Sequence, residues 1–268
     1  MDLPSNVHIH SGFYILLFGR HRTKGKTKYD VIFEEVAKLL QTHRGYRLYV
    51  TGHSLGGAIA TLFAFYAAAS FDQRIPKPVT CIAFASPKLA GIDFRISFRA
   101  LEKAGCLRCV RVSNDRDVVT TVPTDRSGSC MSQSRIYRHV GMSLTLYNTM
   151  FYTRSMQLGY TRRYPGFCGL CCHDWSKQTR RLIWCLACWP TLCCKEDYTQ
   201  WHSCAEYTRR IEAQKEELQT QHLNYLYSRI FTKEDGDDDD DEAVMAMDRL
   251  LYGNAIYGDG KLPIELYQ

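Results

Sequence analysis

The chain has 268 residues, enough to bury a full hydrophobic core in one main domain with an appendage. Its 45% hydrophobic and 23% charged content is that of a soluble globular protein and excludes a disordered, low-hydrophobicity chain. The net charge of +6 is uneven: eight acidic residues crowd between Glu234 and Glu242, so the remainder is more basic and suits an anionic surface such as membrane headgroups, while no nucleic-acid motif accompanies it.

At the N-terminus, Met1-Asp2-Leu3-Pro4 has no basic start, and the apolar run Phe13 to Phe18 is too short for a signal-peptide core. The longest nearly uncharged run, Leu182 to Cys194, has 13 residues, below the length of a membrane span. The expectation is a cytoplasmic protein peripheral to a membrane. Twelve cysteines without an export signal point to free thiols, metal or lipid attachment rather than disulfides.

Tyr29 to Gln41 places Val31, Ile32, Val36, Leu39 and Leu40 at helical spacing, and Gly45 stops it. Leu48 to Val50 is β-prone, Gly52-His53-Ser54-Leu55-Gly56 fits G-x-S-x-G, and a small-residue apolar run to Ala69 predicts a helix. A strand that reverses sharply into a helix strains its apex residue, here Ser54, and glycines two before and two after leave room for the neighbouring backbones. The Ser54 hydroxyl would then stand at a helix N-terminus, where the Leu55 N–H meets a developing oxyanion. A serine so placed needs a histidine to take its proton and a carboxylate to orient that histidine.

Val79 to Phe84 is a continuous apolar run of the kind a buried parallel strand shows, Asp93 to Lys103 predicts a helix, and Leu107 to Val112 predicts another strand. Alternating strands and helices argue for a parallel α/β sheet with its site at the strands' carboxyl ends. Asp117 lies just past the strand that ends near Val112, with Val118 and Val119 behind it to bury a carboxylate; Asp115 is its rival.

These residues together resemble the class 3, or fungal-type, lipases. The resemblance rests on Val7-His8 with Ser11-Gly12-Phe13, on Gly52 to Ala58, and on Ala83-Phe84-Ala85-Ser86-Pro87-Lys88. It continues through Asn114 to Asp117 with Val118 and Pro123, and Tyr137-Arg138-His139-Val140-Gly141, in the family's order over about residues 7 to 145. It implies an α/β-hydrolase fold, a mostly parallel sheet flanked by helices, with a Cys-rich insertion and a helical C-terminal region added here. It also implies hydrolysis of carboxylic esters of lipids, with Ser54 the nucleophile, Asp117 the acid and Leu55 an oxyanion donor. His222, with a tyrosine three residues on, is the expected base; His139 and His202 are the alternatives. Family members carry a further strand ending near Arg-Gly-Thr or Arg-Gly-Ser, and a lid helix, ahead of the matched region. Neither is in this sequence, and from this comes the second reading, a weak or inactive lipase-fold protein serving as a membrane-associated or zinc-stapled interaction module.

The resemblance does not cover Tyr147 to Cys204, whose later part is Cys-rich. Cys168-x-x-Cys171 and Cys185-x-x-Cys188 have the spacing of a four-thiolate zinc site. Paired cysteines beside the apolar run Leu182 to Leu192 equally suit reversible acylation and a monotopic membrane patch. No cofactor is expected unless zinc sits there. Ala205 to Arg229 contains neither Gly nor Pro and predicts one continuous helix, and Asp235 to Glu242 reads as a solvated linker. The expected division is a hydrolase core at 1–165, the Cys-rich insertion at 166–204, a helix carrying His222 at 205–232, and an acidic linker and tail at 233–268. Oligomeric state and lipid specificity are not legible.

Overall fold

A computed structural model of the chain describes residues 7–20, 25–123, 137–147, 156–160 and 198–220. Two helices, α1 (Ser11–Phe18) and α2 (Lys28–Thr42), precede strand β1 (Tyr49–His53). Helix α3 (Leu55–Ala69), strand β2 (Val79–Phe84), helix α4 (Ile92–Lys103) and strand β3 (Leu107–Asn114) then alternate as the sequence predicts. A 3-10 turn at Val118–Thr121, strands β4 (Met142–Leu146) and β5 (Met156–Tyr160), a 3-10 turn at Tyr198–His202, and helices α5 (Cys204–Ala213) and α6 (Lys215–Gln219) follow among the described residues.

The strands form one sheet in the order β1-β2-β3-β4-β5, parallel through β4, with β5 antiparallel to β4. Register aligns His53 with Phe84 and Phe84 with Val112, so Ser54, Ala85 and the Asn114 to Asp117 loop all emerge at one end of the sheet. This is the mostly parallel, helix-flanked sheet of an α/β-hydrolase fold.

Helix α3 is apolar on every side and buried from Gly57 to Ala69 apart from the half-buried Ile59, as a helix enclosed between sheet and helices must be. Its Phe65 ring meets Phe94 of α4 at 4.6 Å and Phe98 at 5.8 Å. On α2, a Thr27–Asp30 capping box fixes the start. The predicted apolar stripe is only half right. Tyr29, Phe33, Val36, Ala37 and Leu40 face the core, whereas Val31, Ile32 and Leu39 are exposed. The apolar run at Phe13 to Phe18, left without an element by the sequence, is helix α1, whose Phe18 ring packs edge-on to Tyr66 of α3 at 4.6 Å.

The long helix expected from Ala205 is interrupted: α5 ends at Gln214, where φ of −116° and ψ of 13° leave helical geometry, and α6 resumes for one short turn. The candidate zinc or acylation cysteines, His222 and the acidic linker lie outside the described residues. Among the described residues no helix is long and apolar enough to cross a membrane, and no group of His, Cys, Asp or Glu is arranged to hold a metal ion.

Candidate active site

Ser54 joins β1 to α3 with φ of 57° and ψ of −125°, a conformation that costs a non-glycine residue about 1–3 kcal/mol and persists only where surroundings impose it. They do so through the backbone: Ser54 N–H donates to the Phe84 carbonyl at 2.9 Å, and the Ser54 carbonyl accepts from Gly57 N–H at 2.9 Å. The Ser54 side chain does not cap its helix and is turned elsewhere. Leu55 N–H opens α3 at its first helical position, where no carbonyl four residues back is available to it, and it points with the positive end of the helix.

The glycines differ in what they contribute. A Cβ on Gly52 would lie 2.2 Å from the Gly56 carbonyl oxygen, and one on Gly57 would lie 3.0 Å from the Phe84 oxygen and 3.1 Å from Ser86 Cβ. A Cβ on Gly56 meets nothing within 4 Å. The close approach expected at positions 52 and 56 is therefore made at 52 and 57. Gly52→Ala should destabilise the chain by about 1–3 kcal/mol or more, since two backbones must separate, whereas Gly56→Ala should stay within about 0.5 kcal/mol of wild type; thermal denaturation compares them.

Asp117 is fully buried at the start of the 3-10 turn Val118–Thr121. Its Oδ1 accepts from Val119 N–H at 2.9 Å, and its Oδ2 accepts from the Tyr207 hydroxyl at 2.8 Å. His202 ends the 3-10 turn Tyr198–His202 and places Nδ1 2.9 Å from Asp117 Oδ2 and 3.1 Å from Oδ1. Its Nε2 lies 2.8 Å from Ser54 Oγ. A carboxylate only accepts, so the Nδ1 proton points at Asp117 and the Nε2 lone pair is left for the serine hydroxyl. Asp117 is sealed, whereas the His202 side chain keeps 23% of its exposure.

Of the two candidate bases among the described residues, His202 is the one joined to Ser54 and Asp117. It stands where His222 was expected, and His222 itself lies outside the described residues. The Trp-His-Ser context carried a signal for this. Ser203 with Glu206 three residues on marks a helix start, and Ser203 Oγ does accept from Glu206 N–H, so His202 sits at a loop-to-helix junction.

His139 has a different task. Its Nε2–H donates to the Thr120 carbonyl at 2.7 Å, bracing the turn that follows Asp117. Gly141 beside it has φ of +73° and lies against Cys109, where a Cβ would come within 2.8 Å of Cys109 Cβ. Burial, with the Arg111 and Lys88 cations, holds the His139 pKa well below the ordinary 6.5, although the residue as a whole keeps partial exposure. The unfolded chain therefore binds this proton first, and the contribution of His139 to stability, present above about pH 6.5, is lost progressively as pH falls from there toward the depressed pKa of the folded state. His139→Gln should flatten this acid loss, as urea denaturation at pH 7.5 and 5.5 would show.

Asp115, the rival acid, is buried in an ion pair. Arg210 Nη1 donates to Asp115 Oδ1 at 2.6 Å and to the Leu146 carbonyl at 2.8 Å, and Arg210 Nε donates to Glu206 at 2.7 Å. The Trp201 ring lies 5.0 Å from the Arg210 guanidinium carbon and 5.2 Å from that of Arg116. Asn114 Nδ2–H donates to the Trp201 carbonyl at 2.9 Å. Tyr207 accepts from Asn114 N–H while donating to Asp117, and burial, then the Asp117 charge, drives its pKa far upward, so it stays a donor. The sequence singled out none of His53, Trp201, Tyr207 or Arg210, because each acts across the fold on a partner distant in the chain.

A strained serine between strand and helix, an acid beyond a later strand and a histidine last in the chain define an α/β-hydrolase site. Residues 1–127, a little under half of the chain, match the family described as Lipase (class 3). The chain is 36% identical over 135 residues to phospholipase A1-II 6 of Oryza sativa subsp. japonica, covering 46% of this chain and 33% of that protein. It is 44% identical over 96 residues to the chloroplastic phospholipase A(1) DAD1 of Arabidopsis thaliana, covering 35% and 20%. Among solved structures, lipase II from Rhizopus niveus aligns with 66% of this chain and 62% of its own at 21% identity, with a TM-score of 0.43. The chain thus spans a third or less of the length of these curated relatives.

Proposed function

We propose that the chain is a serine hydrolase that cleaves carboxylic esters of lipids, with Ser54 as nucleophile, His202 as general base and acid, and Asp117 as the orienting anion. The observation that carries this is the unbroken series from Ser54 Oγ to His202 Nε2 at 2.8 Å and from His202 Nδ1 to Asp117 at 2.9 Å. His202 takes the hydroxyl proton as Oγ attacks the ester carbonyl, and Asp117 stabilises the imidazolium that forms. Leu55 N–H faces the developing oxyanion, the alcohol leaves with the proton from His202, and water repeats the sequence to release the fatty acid.

Lipid esters as the substrate class are supported by two relatives that are phospholipases A1 by name. They are supported too by the exposed apolar side chain directly after the nucleophile, Leu55 at 44% exposure. A substrate with long acyl chains resides in a bilayer or micelle, so a membrane surface is the proposed working environment. A fluorophosphonate probe tests the reading: the folded chain should be labelled, Ser54→Ala should take no label, and vesicles of phosphatidylcholine should lose fatty acid only with the former. A folded wild-type chain that takes no label would refute it.

A further inference from the structure

The base reaches this site from far along the chain, and its position therefore depends on how its short segment is held. Where the 3-10 turn Tyr198–His202 gives way to α5, successive carbonyls at Trp201 and His202 point out of the helical ladder and need donors from elsewhere. Both receive them from side chains of the sheet. Asn114, at the end of β3, donates to the Trp201 carbonyl at 2.9 Å. His53, at the end of β1, has Nε2 2.8 Å from the His202 carbonyl, across 149 residues. A carbonyl only accepts, so His53 carries its proton at Nε2.

The His53 bond differs from every other brace described above. It grips the carbonyl of the base residue itself, and it comes from the residue covalently joined to the nucleophile. The two imidazole rings also pack with centroids 4.7 Å apart, and the Tyr207 ring stands edge-on to His53 at 5.9 Å. A displacement of β1 that carries Ser54 therefore carries the anchor of His202 with it. The distance between nucleophile and base is thereby fixed by a loop of contacts closing through His53.

Resting on the hydrolase reading above, we infer that His53 is a positioning residue for the reaction: its Nε2–H, donated to the His202 carbonyl, holds the base at the reach of Ser54 Oγ. It touches neither substrate nor the transferred proton, so its loss acts on the chemical step and leaves substrate binding alone. Reacting groups displaced by about 1 Å lose on the order of 10²-fold in rate.

The experiment measures the fluorophosphonate labelling rate of Ser54, with kcat and KM on a soluble short-chain ester, in wild type, His53→Leu and His53→Gln, each checked by thermal denaturation. His53→Leu fills similar space without a donor and should label and turn over about 10- to 100-fold more slowly at unchanged KM. His53→Gln sets an amide N–H where Nε2 stood and should return to within about threefold of wild type. Should His53→Leu fail to fold, His53→Asn, whose amide stops short of the carbonyl, must show the same loss. Equal rates in wild type and the donor-free variant, or equal losses in His53→Leu and His53→Gln, overturn the inference alone. A folded wild-type chain that takes no label refutes the hydrolase reading first.

Discussion

Replacing His202 with alanine is expected to reduce kcat on a lipid ester by about 10⁶-fold, the scale seen when a serine hydrolase loses its base, while His222→Ala retains the wild-type rate. The contrast follows from geometry: one imidazole joins Ser54 Oγ at 2.8 Å to Asp117 at 2.9 Å, with its tautomer set by the carboxylate. Without it, Ser54 keeps its proton at neutral pH, and what remains is the Leu55 N–H and the binding of substrate. His202→Ala should therefore fold and keep its melting temperature within a few degrees, since the side chain is partly exposed and Asp117 keeps its bonds from Val119 N–H and Tyr207. Initial rates on vesicles of phosphatidylcholine, with folded fraction measured separately, compare the two variants. Loss of turnover in His222→Ala with retention in His202→Ala would reverse the assignment.

That assignment shows which parts of a site sequence can carry. Ser54 is legible because its elbow leaves a local mark, a strand end and glycines placed for close approach; Gly52 and Gly57 meet that need and Gly56 does not. Asp117 is legible as a carboxylate just past a strand with Val118 and Val119 behind it, although only coordinates separate it from Asp115, whose partner Arg210 lies 95 residues away. The alternation from β1 to β3 is equally legible, because buried parallel strands are continuous apolar runs and α3 is a helix of small residues. Helix α1 leaves no periodic mark because its sequence is apolar all round, and the break at Gln214 carries no glycine or proline. His202 is the instructive case. Its local signal, Ser203 followed by Glu206, is a helix start, whereas the tyrosine three residues after His222 is the mark that the family resemblance favours. The braces His53 and Tyr207 are silent in sequence, since their partners lie 149 and 90 residues away.

The two aspartates of the Asn114 to Asp117 loop should separate under mutation, one into chemistry and the other into stability. In Asp117→Asn, Val119 N–H continues to require an acceptor at Oδ1, which places the amide NH2 where Oδ2 now meets Tyr207 and His202 Nδ1. That NH2 donates to Nδ1, moves the ring proton to Nε2 and leaves nothing to accept the serine proton, so turnover should fall by roughly 10⁴-fold. Asp115→Asn leaves the triad intact but strips the charge from the partner of Arg210, whose side chain is 1% exposed. Breaking a buried pair costs about 3–5 kcal/mol, and because Glu206 stays bonded to Arg210 the lower end is expected, near 3 kcal/mol. Where Asp115→Asn remains folded, its rate per fluorophosphonate-titrated site should lie within about tenfold of wild type, since Trp201 keeps its Asn114 bond and His202 its place. Urea denaturation and active-site titration on both variants give the two readouts. A large catalytic loss in Asp115→Asn together with an ordinary rate in Asp117→Asn would mean that the buried carboxylate at position 117 is not the one that orients His202.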